Sequence, residues 1–202
     1  VMKTTAVYIL LLTSMFIIAA SAFGGELTIA RLKYDGGGDW YSNTSSLPNL
    51  LQFVQDNTKT VAAAEPAVVE VGSREIFNYP ILYMNGHGRV YFSEDDAENL
   101  REYLLAGGFI HADDNYGMDK FFREEIKKVF PNEELVEIPF NHPVYNYPYR
   151  FSNGPPKIHE HDNLPARGLG IIRDGRLVVY YTYQSDLGDG WENPDVHQDP
   201  PE

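Results

Sequence analysis

At 202 residues, with 43% apolar and 22% charged side chains, the chain is long enough for a substantial core and reads as globular rather than disordered. A formal net charge of −13 disfavours nucleic acid and anionic membrane surfaces as partners, since both repel an acidic protein. The absence of cysteine excludes disulfides, thiolate zinc sites, iron–sulfur clusters and a Cys nucleophile.

Residues 1–22 read as a secretory signal peptide. Lys3 supplies the positive start, Ala6 to Ala20 is almost wholly apolar, and Ala20-Ser21-Ala22 is an A-x-A cleavage site. An apolar run of about 15 residues is short for a membrane span of about 20. Cleavage after Ala22 is therefore expected, giving an exported chain, periplasmic or secreted, that meets a membrane only if uncleaved. Residues 23–202 are expected to form one domain. The ends, Val1-Met2 and Asp199-Pro200-Pro201-Glu202, read as those of a fragment.

Leu27 to Tyr34 reads as a strand running into Asp35-Gly36-Gly37-Gly38-Asp39-Trp40-Tyr41. Leu47, Leu50, Leu51 and Val54 carry the spacing of one helix face. Ala67 to Val71 and Ile81 to Met84 are short apolar strands, the second ending in Asn85-Gly86-His87-Gly88. Ser93 is a good N-cap for a helix with Ala97, Leu100 and Leu104 inside, closed by Gly107 at C′. Gly108 to Ala112 is the next strand, and it leads into Asp113-Asp114-Asn115. The following helix buries Phe122, Ile126 and Val129 and stops before Pro131. Leu135 to Ile138 is a short strand, followed by a Pro- and Tyr-rich segment, 139–156, with no clear period. Leu169 to Ile172 and Leu177 to Tyr183 flank Asp174-Gly175, a hairpin turn signal. Strands alternating with helices predict an α/β fold with a mostly parallel sheet and an added antiparallel hairpin.

The polar motifs all follow predicted strands. In a doubly wound sheet, Asp35 to Asp39, Asn85 to His87, His111 to Asn115, Asn141-His142 and Ser185-Asp186 would converge on one carboxyl-edge crevice. Asp113 and Asp114 are candidates for metal ligation or general-base work, or for capping the helix that follows. His87, between two glycines, is a candidate base, proton shuttle or metal ligand, or the centre of a tight turn. His111 alternates with Phe109 and is either a ligand contact or a satisfied core histidine. The loop from Asp35 to Asp39 lacks the Lys of a phosphate loop but could hold a hard cation, and Trp40 could form a stacking wall. His159, His161 and His197 lie in polar loops and are expected to be solvated. No Gly-x-Ser-x-Gly elbow is present.

Several segments, in order, resemble one bacterial family. They are Ala30 to Tyr41, Asn85-Gly86-His87-Gly88, Leu100 to Leu104 with Gly107-Gly108-Phe109, Ala112-Asp113-Asp114, His142-Pro143, Asp174-Gly175-Arg176 and Ser185-Asp186-Leu187. The resemblance is to the domain of unknown function 4159 family and runs from about Leu27 to Glu202. It implies a flavodoxin-like three-layer α/β/α sandwich of the class I glutamine amidotransferase-like group, often exported. It brings no established activity, and the amidotransferase Cys has no counterpart here. The expected function is binding of a small ligand or protein partner at the carboxyl edge through Asp35, Asp39, Trp40, Asn85, His111, Asn115, His142 and Asp186. The alternative is a hydrolase using a bound divalent metal, or His87 with Asp113 or Asp114 as an acid–base pair.

Overall fold

The computed structural model describes residues 25–159 and 161–196. The expected leader, His197 and the 199–202 tail lie outside them. Among the described residues no helix is long and apolar enough to cross a membrane.

Seven strands form one sheet: β1 (Ile29–Lys33), β2 (Ala67–Glu70), β3 (Ile81–Gly86), β4 (Phe109–Asp114), β5 (Val136–Glu137), β6 (Arg167–Arg173) and β7 (Arg176–Tyr183). Their order is β2-β1-β3-β4-β7-β6-β5. The pairings from β2 through β7 are parallel, and β6 and β5 add antiparallel neighbours at one edge. Two strands run further than their apolar residues suggest. β3 continues through Asn85-Gly86 and β4 through Asp113-Asp114, because Asn85 pairs with Asp113 and Gly86 with Asp114 across the parallel ladder. Neighbouring backbone, not side-chain polarity, sets where these strands end.

Among the described residues, four α-helices cover the sheet. α1 (Ser46–Asn57) turns Leu47 and Leu51 onto Ile29 and Tyr83 of one face. The short α4 (Leu187–Trp191), for which the sequence carries no helical period, lies beside α1, with Trp191 against the same cluster. α2 (Glu94–Leu105) and α3 (Asp119–Val129) pack the other face, where Leu100, Leu104, Phe122 and Ile126 meet Leu82, Met84, Ile110 and Ala112. The expected hairpin forms between β6 and β7, with Asp174 and Gly175 both at positive φ (51° and 76°), as its two-residue turn requires.

The start of α2 is fixed locally. Ser93 accepts from Asp96 N, while Asp96 accepts from Ser93 N in a capping box. Ser93→Ala is expected to cost about 1 kcal/mol and to lower Tm by roughly 2–4 °C in a thermal unfolding scan. An unchanged Tm would mean that α2 is held by its packing alone.

Beyond β5 the chain makes a 3-10 turn (Pro143–Tyr145) and then, among the described residues, no regular element until β6. This long segment folds back over the end of β7. Ile158 N donates to Ser185 O (2.8 Å), and Ser185 Oγ donates to Pro156 O. That crossing brings residues 156–159 and 161–162 to the carboxyl edge of the sheet.

Candidate functional site

Strand alternation sorts the polar residues of the carboxyl edge onto two faces. Arg31 on β1, Tyr83 and Asn85 on β3, His111 and Asp113 on β4, and Thr182 on β7 point to the side of α1 and α4. Gly86 and Asp114 point to the side of α2 and α3.

On the first face the centre is Arg31, 5% exposed. Its guanidinium donates to Asn85 Oδ1 (2.9 Å), Asn43 O (2.9 Å), Ser42 O and Trp40 O (3.4 Å). Burial lowers its pKa from the ordinary arginine value, and the neighbouring Tyr83 and Glu192 work against that shift. Asn85 Nδ2 donates to Ser42 Oγ (2.9 Å) and Asn43 Oδ1 (3.1 Å). Asn115, just beyond β4, accepts from Gly86 N (3.0 Å) and donates to Asn43 Oδ1 (2.6 Å) and Asp186 Oδ1 (3.0 Å). Gly86 is at φ +138°, and a Cβ there would collide with the Tyr34 hydroxyl. Three asparagines and one arginine thus tie the ends of β1, β3 and β4 to the loop after β1. Asn85 and Asn115, expected as ligand contacts, spend their donors and acceptors on the chain itself.

Asp113 is fully buried. It accepts from Tyr83 Oη (3.2 Å), Gly188 N (2.6 Å) and Thr182 Oγ1. Burial raises its pKa, and these hydrogen bonds oppose that. Thr182 has one hydroxyl proton, which goes to Asp113, so His111 Nε2, 2.9 Å from Thr182 Oγ1, must be the donor to it. His111 therefore carries a proton on Nε2. Desolvation among Tyr83, Tyr180 and Trp191 pushes its pKa down to about 3. It is a satisfied histidine of the sheet face.

Asp114 faces the other way. Its Oδ1 accepts from Tyr116 N and Met118 N (both 3.1 Å), which turns β4 into α3. Burial raises its pKa to about 6. Of the two roles open to the acid pair, the capping role falls to Asp114, although the N-cap residue of α3 is Met118.

His87 is exposed, and its Nδ1 lies 3.0 Å from Asp39 Oδ2. Asp39 also accepts from His87 N. His87 is thus partnered by Asp39, not by Asp113 or Asp114. The backbone of 35–38 is bonded to the loop after β3, with Tyr91 N donating to Asp35 O (2.7 Å) and Gly38 N to Arg89 O (2.9 Å). Asp35 is exposed, and Trp40 packs against the main core and edge-on to Tyr41. His142 lies beyond β5, at the far edge of the sheet, where its ring accepts from Val144 N and caps a turn.

The end of β7 differs in kind. Asp186 is buried at φ +56°, and Gln184 at φ +59°. Tyr116, at the end of β4, is held at φ +115°, where a tyrosine is strained. Its ring stacks on His161 (centroids 4.8 Å, interplanar 24°), and its hydroxyl donates to Asp162. His161 Nε2 lies 3.4 Å and His159 Nδ1 3.9 Å from Asp186 Oδ2. His159 Nδ1 is also 2.9 Å from Asp189 Oδ2. Burial, then the charges of Asp113 and Asp189, raises the pKa of Asp186 to about 9. His159 and His161, expected in solvated loops, are instead folded against a buried carboxylate; the His161 side chain is 13% exposed.

Sequence reasoning missed Arg31, Asn43, Thr182, His159, His161 and Asp189. Arg31 carried a signal, being in phase with Ile29 along a buried strand. The two histidines carried only their i, i+2 spacing. Their place depends on a crossing of more than 20 residues from the end of the 3-10 turn to β6.

No curated protein matches the chain. A model of the family described as a domain of unknown function (DUF4159) matches residues 28–202, most of the chain, and the protein belongs to that family.

Proposed function

We propose that this is an exported binding domain, built on a flavodoxin-like, class I glutamine amidotransferase-like sandwich, that takes a small ligand at the ends of β4 and β7. The parallel strands follow the order 2-1-3-4-5 when counted among themselves, which supports the flavodoxin-like reading. The observation that carries the site is concentrated strain. Tyr116, Gln184 and Asp186, none of them glycine, all adopt positive φ beside one another's loops. Each such residue costs roughly 1–3 kcal/mol, and strain of this kind collects where function requires it. The inner crevice is filled by Arg31, Asn43, Asn85 and Asn115, so a ligand is received at the outer rim around Tyr116, His161 and Asp186.

The hydrolase alternative loses its acid–base form, because His87 pairs with Asp39 and Asp113 is enclosed by Tyr83, Thr182 and Gly188. Its metal form keeps support from the two histidines beside Asp186.

Tyr116→Gly tests the rim. It removes an aromatic ring but relieves the backbone, so unfolding in urea should leave stability within about 1 kcal/mol of wild type or above it. Amide chemical-shift mapping with a panel of sugars, amino acids and amines should find wild-type responses confined to 114–118, 158–162 and 184–189, lost in the variant. Responses elsewhere, or a variant several kcal/mol less stable, would count against a functional rim.

A further inference from the structure

The geometry points to a metal site: we propose that His159, His161 and Asp186 hold one divalent transition-metal ion at the end of β7. This deepens the rim reading and rests on it. One nitrogen of each histidine and one oxygen of Asp186 all lie within 4.8 Å of one another, with two of the separations 3.4 and 3.9 Å. Donors around a tetrahedral ion with bonds of about 2.0–2.1 Å lie roughly 3.3 Å apart, so small side-chain movements complete the set.

The arrangement is poorly explained without an ion. His161 Nε2 is buried and makes no hydrogen bond among the described residues, although a carboxylate oxygen stands 3.4 Å away. Both histidines face the same oxygen, with ring centroids 5.1 Å apart, so protonating both would set two cations side by side. Among the described residues, the basic side-chain nitrogens within 4.0 Å of the Asp186 carboxyl are those of His159 and His161. Asp113 and Asp189 add negative charge close by, and an ion of charge two offsets it.

Mixed imidazole and carboxylate donors suit zinc and its transition-metal neighbours better than magnesium or calcium. Three protein donors leave a fourth position for water or an added ligand, the pattern of an open rather than a closed site. Asp189 Oδ2, at 2.9 Å from the same His159 Nδ1, is close enough to take that position once Nδ1 gives its lone pair to the ion.

The test is calorimetric titration of Zn(II) into the untagged mature chain, with Mg(II) in parallel, and the visible spectrum of the Co(II) form. The expected result is one Zn(II) per chain, no competition from Mg(II), and a tetrahedral cobalt spectrum. His161→Ala and Asp186→Asn should each weaken Zn(II) binding by more than the roughly 10–100-fold lost with a supporting partner. Asparagine keeps the left-handed backbone at 186, and His159→Gln gives a third ligand variant at a less buried position. A wild-type chain without stoichiometric Zn(II), or binding indifferent to all three substitutions, overturns the metal assignment. The rim reading fails separately: sugar, amino acid or amine responses at the rim without Zn(II) binding would leave it standing, and silence in both experiments would end both.

Discussion

Arg31→Met is expected to destabilise the fold by roughly 3–5 kcal/mol, read as a lower urea midpoint at pH 7 with little change in slope. The four acceptors of Arg31 are Asn85 Oδ1 and the carbonyls of Trp40, Ser42 and Asn43, three of which belong to the backbone and stay behind when the guanidinium is removed. A buried acceptor left unpaired costs about 1–3 kcal/mol, so even partial loss of the four reaches the stated size. Met relieves the desolvation of a buried cation, which lowers the total but does not cancel it. A buried ion pair can be exchanged for apolar residues because both partners are replaced together; here the partners are carbonyls of a loop, which cannot be. Arg31→Lys should fall between, since an ammonium keeps the charge but cannot span the fork of acceptors. Hydrogen exchange should quicken at 40–43 in Arg31→Met. A loss under about 1 kcal/mol would mean that water reaches these carbonyls and that Arg31 is not the tie between β1 and its loop.

Arg31 also marks where the sequence stops being legible. The helices α2 and α3, the β6–β7 hairpin and the parallel strands follow from short-range periodicity, a cap and a turn dipeptide, all of which act within a few residues. The convergence of polar strand ends at one edge follows from topology, and β1, β3, β4 and β7 deliver it. What each residue does there depends on partners far along the chain. Asn115 pairs with Asn43 and Asp186, each more than 70 residues away, and no local pattern distinguishes a ligand contact from a structural tie. The same holds for His159 and His161, whose loop is tied to the end of β7 where Ile158 and Pro156 bond to Ser185. A side chain with donors and acceptors is visible in sequence; whether the fold has already used them is not.

His111 yields the second large effect, and its sign follows from linkage. Its folded pKa of about 3 lies below the ordinary value of 6.5, so the neutral ring is the form the fold accepts. That contribution is complete above the unfolded pKa. It is lost as pH falls from 6.5 toward 3, at about 1.4 kcal/mol per unit, to a total of roughly 5 kcal/mol. Asp114 runs the opposite way. Its folded pKa of about 6 lies above the carboxylate value of 3.8, so its contribution is present in acid and lost as pH rises through 6. Between about pH 4 and 6 the two largely cancel in the wild-type curve. His111→Phe separates them, because a phenyl ring keeps the packing on Tyr83, Tyr180 and Trp191, while Thr182 still donates to Asp113. Near pH 7.5 the variant should be within about 1 kcal/mol of wild type, since only the Nε2–H bond to Thr182 is removed. By pH 5 it should have gained about 2 kcal/mol relative to wild type, and near pH 4 about 3 kcal/mol. Urea unfolding of both proteins at a series of pH values reads this difference directly, with the other acids cancelling between them. A difference that stays flat from pH 7.5 to 4 would mean that the imidazole finds water or a carboxylate when protonated, and that the His111–Thr182–Asp113 chain is not the closed relay its geometry describes.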